Sequence, residues 1–181
     1  MIFKLTNLED LPEEVLTELN SYPKINIYKN FAQGYHRGFK AFCDLAATFY
    51  TEESKVHPRL REIGILRIAG NTKSEYEAHH HTNLAKNCGV TEKECEIIIS
   101  EKRVDELSDE ENLVCKVADE FCNNFKLSDE TFEEFYSAFE TEKAIEIATC
   151  LSMYIQIACI ISALKVEIED VNPLENLKKP T

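Results

Sequence analysis

Residues 73–91, KSEYEAHHHTNLAKNCGVT, decide how the rest of the chain is read. The spacing predicts one amphipathic helix closed by a glycine. At about 100° per residue, Ala78, Leu84, Ala85 and Cys88 share one sector, which makes it the core-facing stripe. Glu77 and His81, one turn apart, fall inside that stripe, and Ser74 joins them at its N-terminal end. Glu75, His79, Asn83, Lys86 and Asn87 point the other way, to solvent. A carboxylate and an imidazole on a core face are costly unless paired, and such pairs cluster at functional sites. Either the Glu–His pair ties two helices together, or it is a general acid/base pair lining a pocket. We take the second.

Upstream, residues 57–72 carry His57-Pro58 at a helix start and an apolar set of Leu60, Ile63, Leu66, Ile68 and Ala69, with Gly70-Asn71 expected to close the helix. Glu62 is the second oddity. It lies one turn before Leu66 and beside Ile65 and Ala69, so it is at least partly buried, unless Arg59 or Arg61 holds it at the surface. Residues 25–50 read as one helix through Ile27, Phe31, Tyr35, Phe39, Phe42, Leu45, Ala46 and Phe49. Gly34 and Gly38, four apart, predict close approach of another helix or room for a ligand, with Tyr35 and His36 between them. Residues 8–19 form a short helix with Pro12 in its first turn.

Downstream, Thr91 caps a short helix and Ser108-Asp-Glu-Glu is a capping box for another. Ser128 opens a further helix carrying Phe132, Phe135 and Phe139. Residues 141–164 are apolar almost all round and therefore central, with Tyr154 and Gln156 as polar points. The tail, 167–181, is charged and expected to be extended or partner-bound. The expectation is an all-α fold of roughly seven helices in a single domain, 1–181, with residues 1–22 as an N-terminal helical extension. No glycine-rich phosphate loop, zinc spacing or HExxH occurs.

The chain has 181 residues, enough to bury a proper core, and only five glycines and five prolines, which favours helices over strands. Its net charge of −13 repels phosphate backbones and anionic lipid, so neither nucleic acid nor a membrane surface is an expected partner. The seven cysteines are scattered, none as Cys-x-x-Cys, which suggests reduced thiols and a cytoplasmic location. The N-terminus lacks the pattern of a signal peptide. The longest apolar run, residues 155–161 interrupted by Gln156, is too short to span a membrane.

Taken together, residues 57–96 resemble the central segment of carboxymuconolactone decarboxylase-like proteins, the superfamily that includes the alkylhydroperoxidase-D peroxidases. The most specific parts are REIGILR at 61–67, YEAHHH at 76–81 and AKNCG at 85–89. Weaker likeness extends through the helix after Pro23, LSDEENLVCKVADEF, LSDETFEEF and VEIED, and so over nearly the whole chain. The resemblance implies an alkylhydroperoxidase-D-like bundle assembled as a homo-oligomer, trimeric or hexameric, acting on a small-molecule substrate. It also implies that Glu62 is the family's helix glutamate and His81 its histidine. The peroxidase branch has a redox Cys-x-x-Cys where Ser74 and Glu77 stand here, and serine and glutamate cannot cycle through a disulfide. Ala78 replaces the family's tryptophan and should reshape the pocket.

Glu62, Glu77 and His81 are therefore the expected acid/base set, suited to decarboxylation or isomerisation of a small acid or lactone without metal or organic cofactor. Ser74, Ala78, His36 and Tyr154 are the expected substrate contacts. The alternatives are a peroxiredoxin-type activity through another thiol, or a non-catalytic binding or structural relative. A metal shared by Glu77 and His81 is a weaker variant.

Overall fold

The structure, a computed structural model, describes residues 8–170 and Pro173. The first seven residues of the N-terminal extension, and all of the tail after Asp170 except Pro173, lie outside the described residues. A 3₁₀ turn, Leu8–Asp10, precedes nine α-helices: α1 Glu13–Leu19, α2 Asn26–Gly34, α3 His36–Thr48, α4 Pro58–Thr72, α5 Glu75–Asn87, α6 Glu92–Ser100, α7 Asp109–Asn124, α8 Asp129–Ala138 and α9 Thr141–Leu164. The described residues contain no strand, and the all-α architecture is the one the sequence spacing implies.

The hub is α4, which packs against α5, α6, α7 and α9. Every residue from Leu60 to Ala69 is buried, including two arginines and a glutamate. A helix buried all round can keep such groups only if each finds partners. Arg67 finds them completely. Its Nε and Nη2 donate to the Asp119 carboxylate at 2.5 and 2.9 Å. Its Nη1 donates to the Ile98 and Glu101 carbonyls and its Nη2 also to that of Lys102, so the end of α6 is capped from inside the protein. Gly70 does not close α4, which runs on to Thr72 with Lys73 in the left-handed region. It lets α6 approach instead: a β-carbon there would lie 2.4 Å from the Ile99 carbonyl oxygen.

The expected single helix over residues 25–50 is two helices, broken at Tyr35. The Tyr35 ring folds over Gly38, where a β-carbon would lie 2.1 Å from it. Gly38 thus makes room for a neighbouring ring, whereas a β-carbon at Gly34 would meet nothing within 4 Å. α1 to α3 form a small core of their own around Phe39, Cys43 and Leu19.

The last helix packs against α4, α7 and α8 and supplies Ile147, Leu151, Tyr154 and Ile157 to the main core. Its outer face is less covered, with Ile145 53 % exposed. By length and composition its 24 residues could also cross a membrane. The short run at 155–161 understates this, because Thr149, Ser152 and Gln156 interrupt the apolar residues without adding charge.

Candidate functional site

The site forms where α4 and α5 lie side by side. Ser74 is the N-cap of α5, accepting from the Glu77 amide at 3.4 Å. In a complete capping box the glutamate at this position reaches back to the N-cap amide. Here the Ser74 amide is already bonded to the Ala69 carbonyl at 3.0 Å, as α4 ends. Glu77 is therefore released from capping and turns inward. By contrast, Glu94 and Glu111, at the same position in α6 and α7, close their boxes.

Inward, Glu77 meets His81 on the next turn. His81 stands between two carboxylates: Nδ1 lies 2.7 Å from Glu62 Oε2, and Nε2 lies 3.5 Å from Glu77 Oε2. The short contact assigns the Nδ1–H to Glu62 and leaves Nε2 facing Glu77. Glu62 is completely buried and accepts also from Arg61 Nε at 3.0 Å. Arg61 is fixed in turn by the Phe49 carbonyl at 2.7 Å and by the Tyr50 ring, 4.0 Å below its guanidinium. The Tyr50 and Tyr154 hydroxyls are 2.7 Å apart, and the Tyr154 ring meets His81 edge-on at 4.9 Å. The chain of contacts is open at its cavity end. Glu77 Oε2 is buried without a hydrogen bond.

The unsatisfied oxygen belongs to the wall of a cavity of about 360 Å³ between α2, α3, α4, α5 and α9. Most of the lining is apolar or aromatic, the setting expected of a small-molecule site. Burial pushes the Glu77 carboxyl above its ordinary range, opposed by His81 and His80. For Glu62, burial acts in the same direction, but His81 and Arg61 outweigh it and hold the carboxyl low. Burial works against charge on His81, yet Glu62 raises its pKa overall. The two glutamates are thus driven apart, one toward the neutral acid and one toward the permanent anion. Cys43 also lines the cavity, with its thiol pushed up to about 12 chiefly by burial, so it carries little thiolate at neutral pH.

Of the expected site residues, the structure brings together Glu62, Glu77, His81 and Tyr154 around the cavity. Ser74 is the α5 cap, Ala78 is partly buried outside the lining, and His36 is exposed at the start of α3. Sequence reasoning missed three others. Tyr76 and His80 are buried and line the same cavity. Glu169, in the segment that follows α9, reaches back to them: it accepts from Tyr76 at 2.8 Å and from the Asn26 amide at the start of α2, and lies 2.7 Å from His80 Nε2. The tail expected to be extended or partner-bound is therefore docked as far as Glu169. Among the described residues, no group of three or more His, Cys, Asp or Glu side chains is arranged to hold a metal ion.

The helical bundle has the fold of solved alkylhydroperoxidase-D-like, peroxidase-related proteins. Residues 36–120 match the Carboxymuconolactone decarboxylase family. Over those residues the chain is similar to that family, and the sequence has no Cys-x-x-Cys motif. Its fold is similar to that of a peroxidase-related protein from Ralstonia eutropha JMP134, described as an alkylhydroperoxidase AhpD core, with a TM-score of 0.79 and 12 % identity over 93 % of this chain and 92 % of that one. It is equally similar to a peroxidase-related protein from Silicibacter sp. TM1040, with a TM-score of 0.80 and 15 % identity over 96 % and 93 % of the two chains. No curated protein sequence matches the chain.

Proposed function

We propose that the chain is a cofactor-independent acid/base enzyme that decarboxylates or isomerises a small carboxylic acid or lactone. The observation that carries this reading is Glu77 Oε2, buried in a cavity wall without a hydrogen bond and facing His81 Nε2. With Nδ1–H committed to Glu62, Nε2 of His81 in its deprotonated form is the base, and although burial opposes charge on the ring, the upward shift that Glu62 imposes makes it a stronger one. It takes a proton from carbon next to the substrate carbonyl, and the imidazolium that forms is stabilised by Glu62. Glu77, as the neutral acid, donates a hydrogen bond to the carbonyl oxygen on which charge develops. Return of the same proton to a different carbon completes an isomerisation. Where carbon dioxide leaves instead, the carbon–carbon bond pair stays on the substrate as the enolate, which takes a proton at carbon from His81 in its imidazolium form, and solvent reprotonates the ring. Arg61, Tyr50 and Tyr154 hold Glu62 and the imidazole in position.

Hydrogen–deuterium exchange of carbon acids in heavy water, followed by NMR, tests this while the substrate is still unidentified. A panel of small lactones and keto acids should include one that exchanges with the wild type and not with His81→Ala. Exchange that persists in folded His81→Ala would reject the reading.

A second reading, thiol-dependent peroxide reduction, draws on the peroxidase-related structural neighbours and on Cys43 and Cys88 in the lining. It predicts peroxide consumption that Cys88→Ser or Cys43→Ser abolishes, whereas the acid/base reading predicts turnover that survives replacement of all seven cysteines. We further propose a homo-oligomer formed over the uncharged outer face of α9, to be tested by sedimentation.

A further inference from the structure

The charges around the cavity narrow what it can accept. Ile25, Ile27, Tyr28, Phe42, Leu84 and Ile157 give it walls without hydrogen-bonding side chains apart from the Tyr28 hydroxyl. Among the described lining residues there is one arginine and no lysine. That arginine, Arg61, is already held by Glu62, the Phe49 carbonyl and the Tyr50 ring. Each lining imidazole likewise stands against its own carboxylate, His81 against Glu62 and His80 against Glu169, both at 2.7 Å.

Two lining groups remain for a ligand: Glu77 Oε2, on a side chain only 5 % exposed, and the buried His80 Nδ1, which also has no hydrogen bond. An entering carboxylate would lose its water beside two buried carboxylates and meet no cation of its own. A neutral carbonyl needs one donor, which a carboxylic acid supplies. The upward shift that burial imposes on Glu77 is in keeping with that role.

We infer that the cavity binds an uncharged, largely apolar molecule bearing one carbonyl, such as an aromatic or medium-chain lactone, with its oxygen on Glu77. This narrows the acid/base reading and rests on it only for the location of the site. The test is calorimetric titration of the full chain at neutral pH with two matched pairs: coumarin against coumarin-3-carboxylate, and γ-decalactone against decanoate. At least one lactone should bind, about tenfold or more tighter than its carboxylate partner. Glu77→Leu should weaken that lactone by about tenfold, the effect of losing one buried hydrogen bond, while Glu77→Gln, which keeps a donor, should stay within about threefold. Thermal melts establish that each variant is folded, and Glu77→Gln carries the test if Glu77→Leu is not.

Equal or tighter binding of the carboxylates would overturn the inference. So would failure of both lactones to bind at millimolar concentration, or lactone affinity indifferent to Glu77→Leu. Lactone binding without proton exchange would leave this inference standing and sink the acid/base reading. His81-dependent turnover of a carboxylate would do the reverse.

Discussion

The two sides of α4 treat buried charge differently. Toward α6 and α7, Arg67 has a partner for every N–H it carries, and nothing is left for a ligand. Toward α5 and α9, Arg61, Glu62 and His81 form a similar chain, but it ends at Glu77 with an oxygen that makes no hydrogen bond. Complete satisfaction marks the first cluster as structural. The second is complete at one end and open at the other, at a cavity, and an open buried end is what a substrate can close. The same contrast runs through the helix caps. Thr91–Glu94 and Ser108–Glu111 close as boxes, whereas in Ser74–Glu77 only the serine half forms.

The contrast can be broken by substitution. Arg67→Met should cost the most stability, roughly 3 kcal/mol or more, because it strips partners from buried carbonyls and from Asp119. Urea unfolding measures it, and a loss below about 1 kcal/mol would mean that the closed cluster is not structural. His81→Ala should lower proton-exchange activity by about 10²–10⁴-fold while costing roughly 1–3 kcal/mol of stability through the Glu62 left behind.

Glu77→Gln should be nearly neutral in stability, within about 1 kcal/mol at neutral pH, since it removes no formed hydrogen bond of the carboxylate. It should also change the pH profile. Because the folded carboxyl sits above its ordinary value of 4.5, the wild type loses stability as pH rises from that value through the folded pKa. The variant should lack this loss, and parallel profiles would contradict the assignment.

The smallest effect belongs to Glu169. Burial opposes its charge, but His80, the Asn26 amide and Tyr76 hold its pKa down at about 2. Its contribution is therefore present above pH 4.5 and fades as pH falls toward 2, and Glu169→Gln should flatten that acid limb. The Glu169 side chain is only 7 % exposed, and a shift of a few degrees in thermal midpoint is the expected scale.

The helices and most of their starts were legible in the sequence because caps and apolar spacing are local. The anomaly of Glu62, Glu77 and His81 was legible for the same reason: each breaks the pattern of its own helix. Three things were not. Tyr35 folding over Gly38 looks like uninterrupted helical spacing until the ring is placed. Tyr76 and His80 fall outside the α5 stripe, and contacts from α2 and from Glu169 after α9 hold them inward. Ser74–Glu77 has the letters of a capping box, and only the competing bond from Ser74 to Ala69 shows that its glutamate is free to turn inward. Each of these depends on a contact with another segment or ring, which spacing alone does not encode.

The most direct measurement is the titration of the Glu77 carboxyl itself. Protein labelled with ¹³C at the glutamate side-chain carboxyl, compared with Glu77→Gln to assign the signal, reports its protonation by NMR. The account predicts a midpoint above the ordinary 4.5, with the neutral acid persisting where the surface glutamates are ionised. A midpoint at or below 4.5 would show an ordinary paired carboxylate, and the open end of the cluster would then be no acid at all.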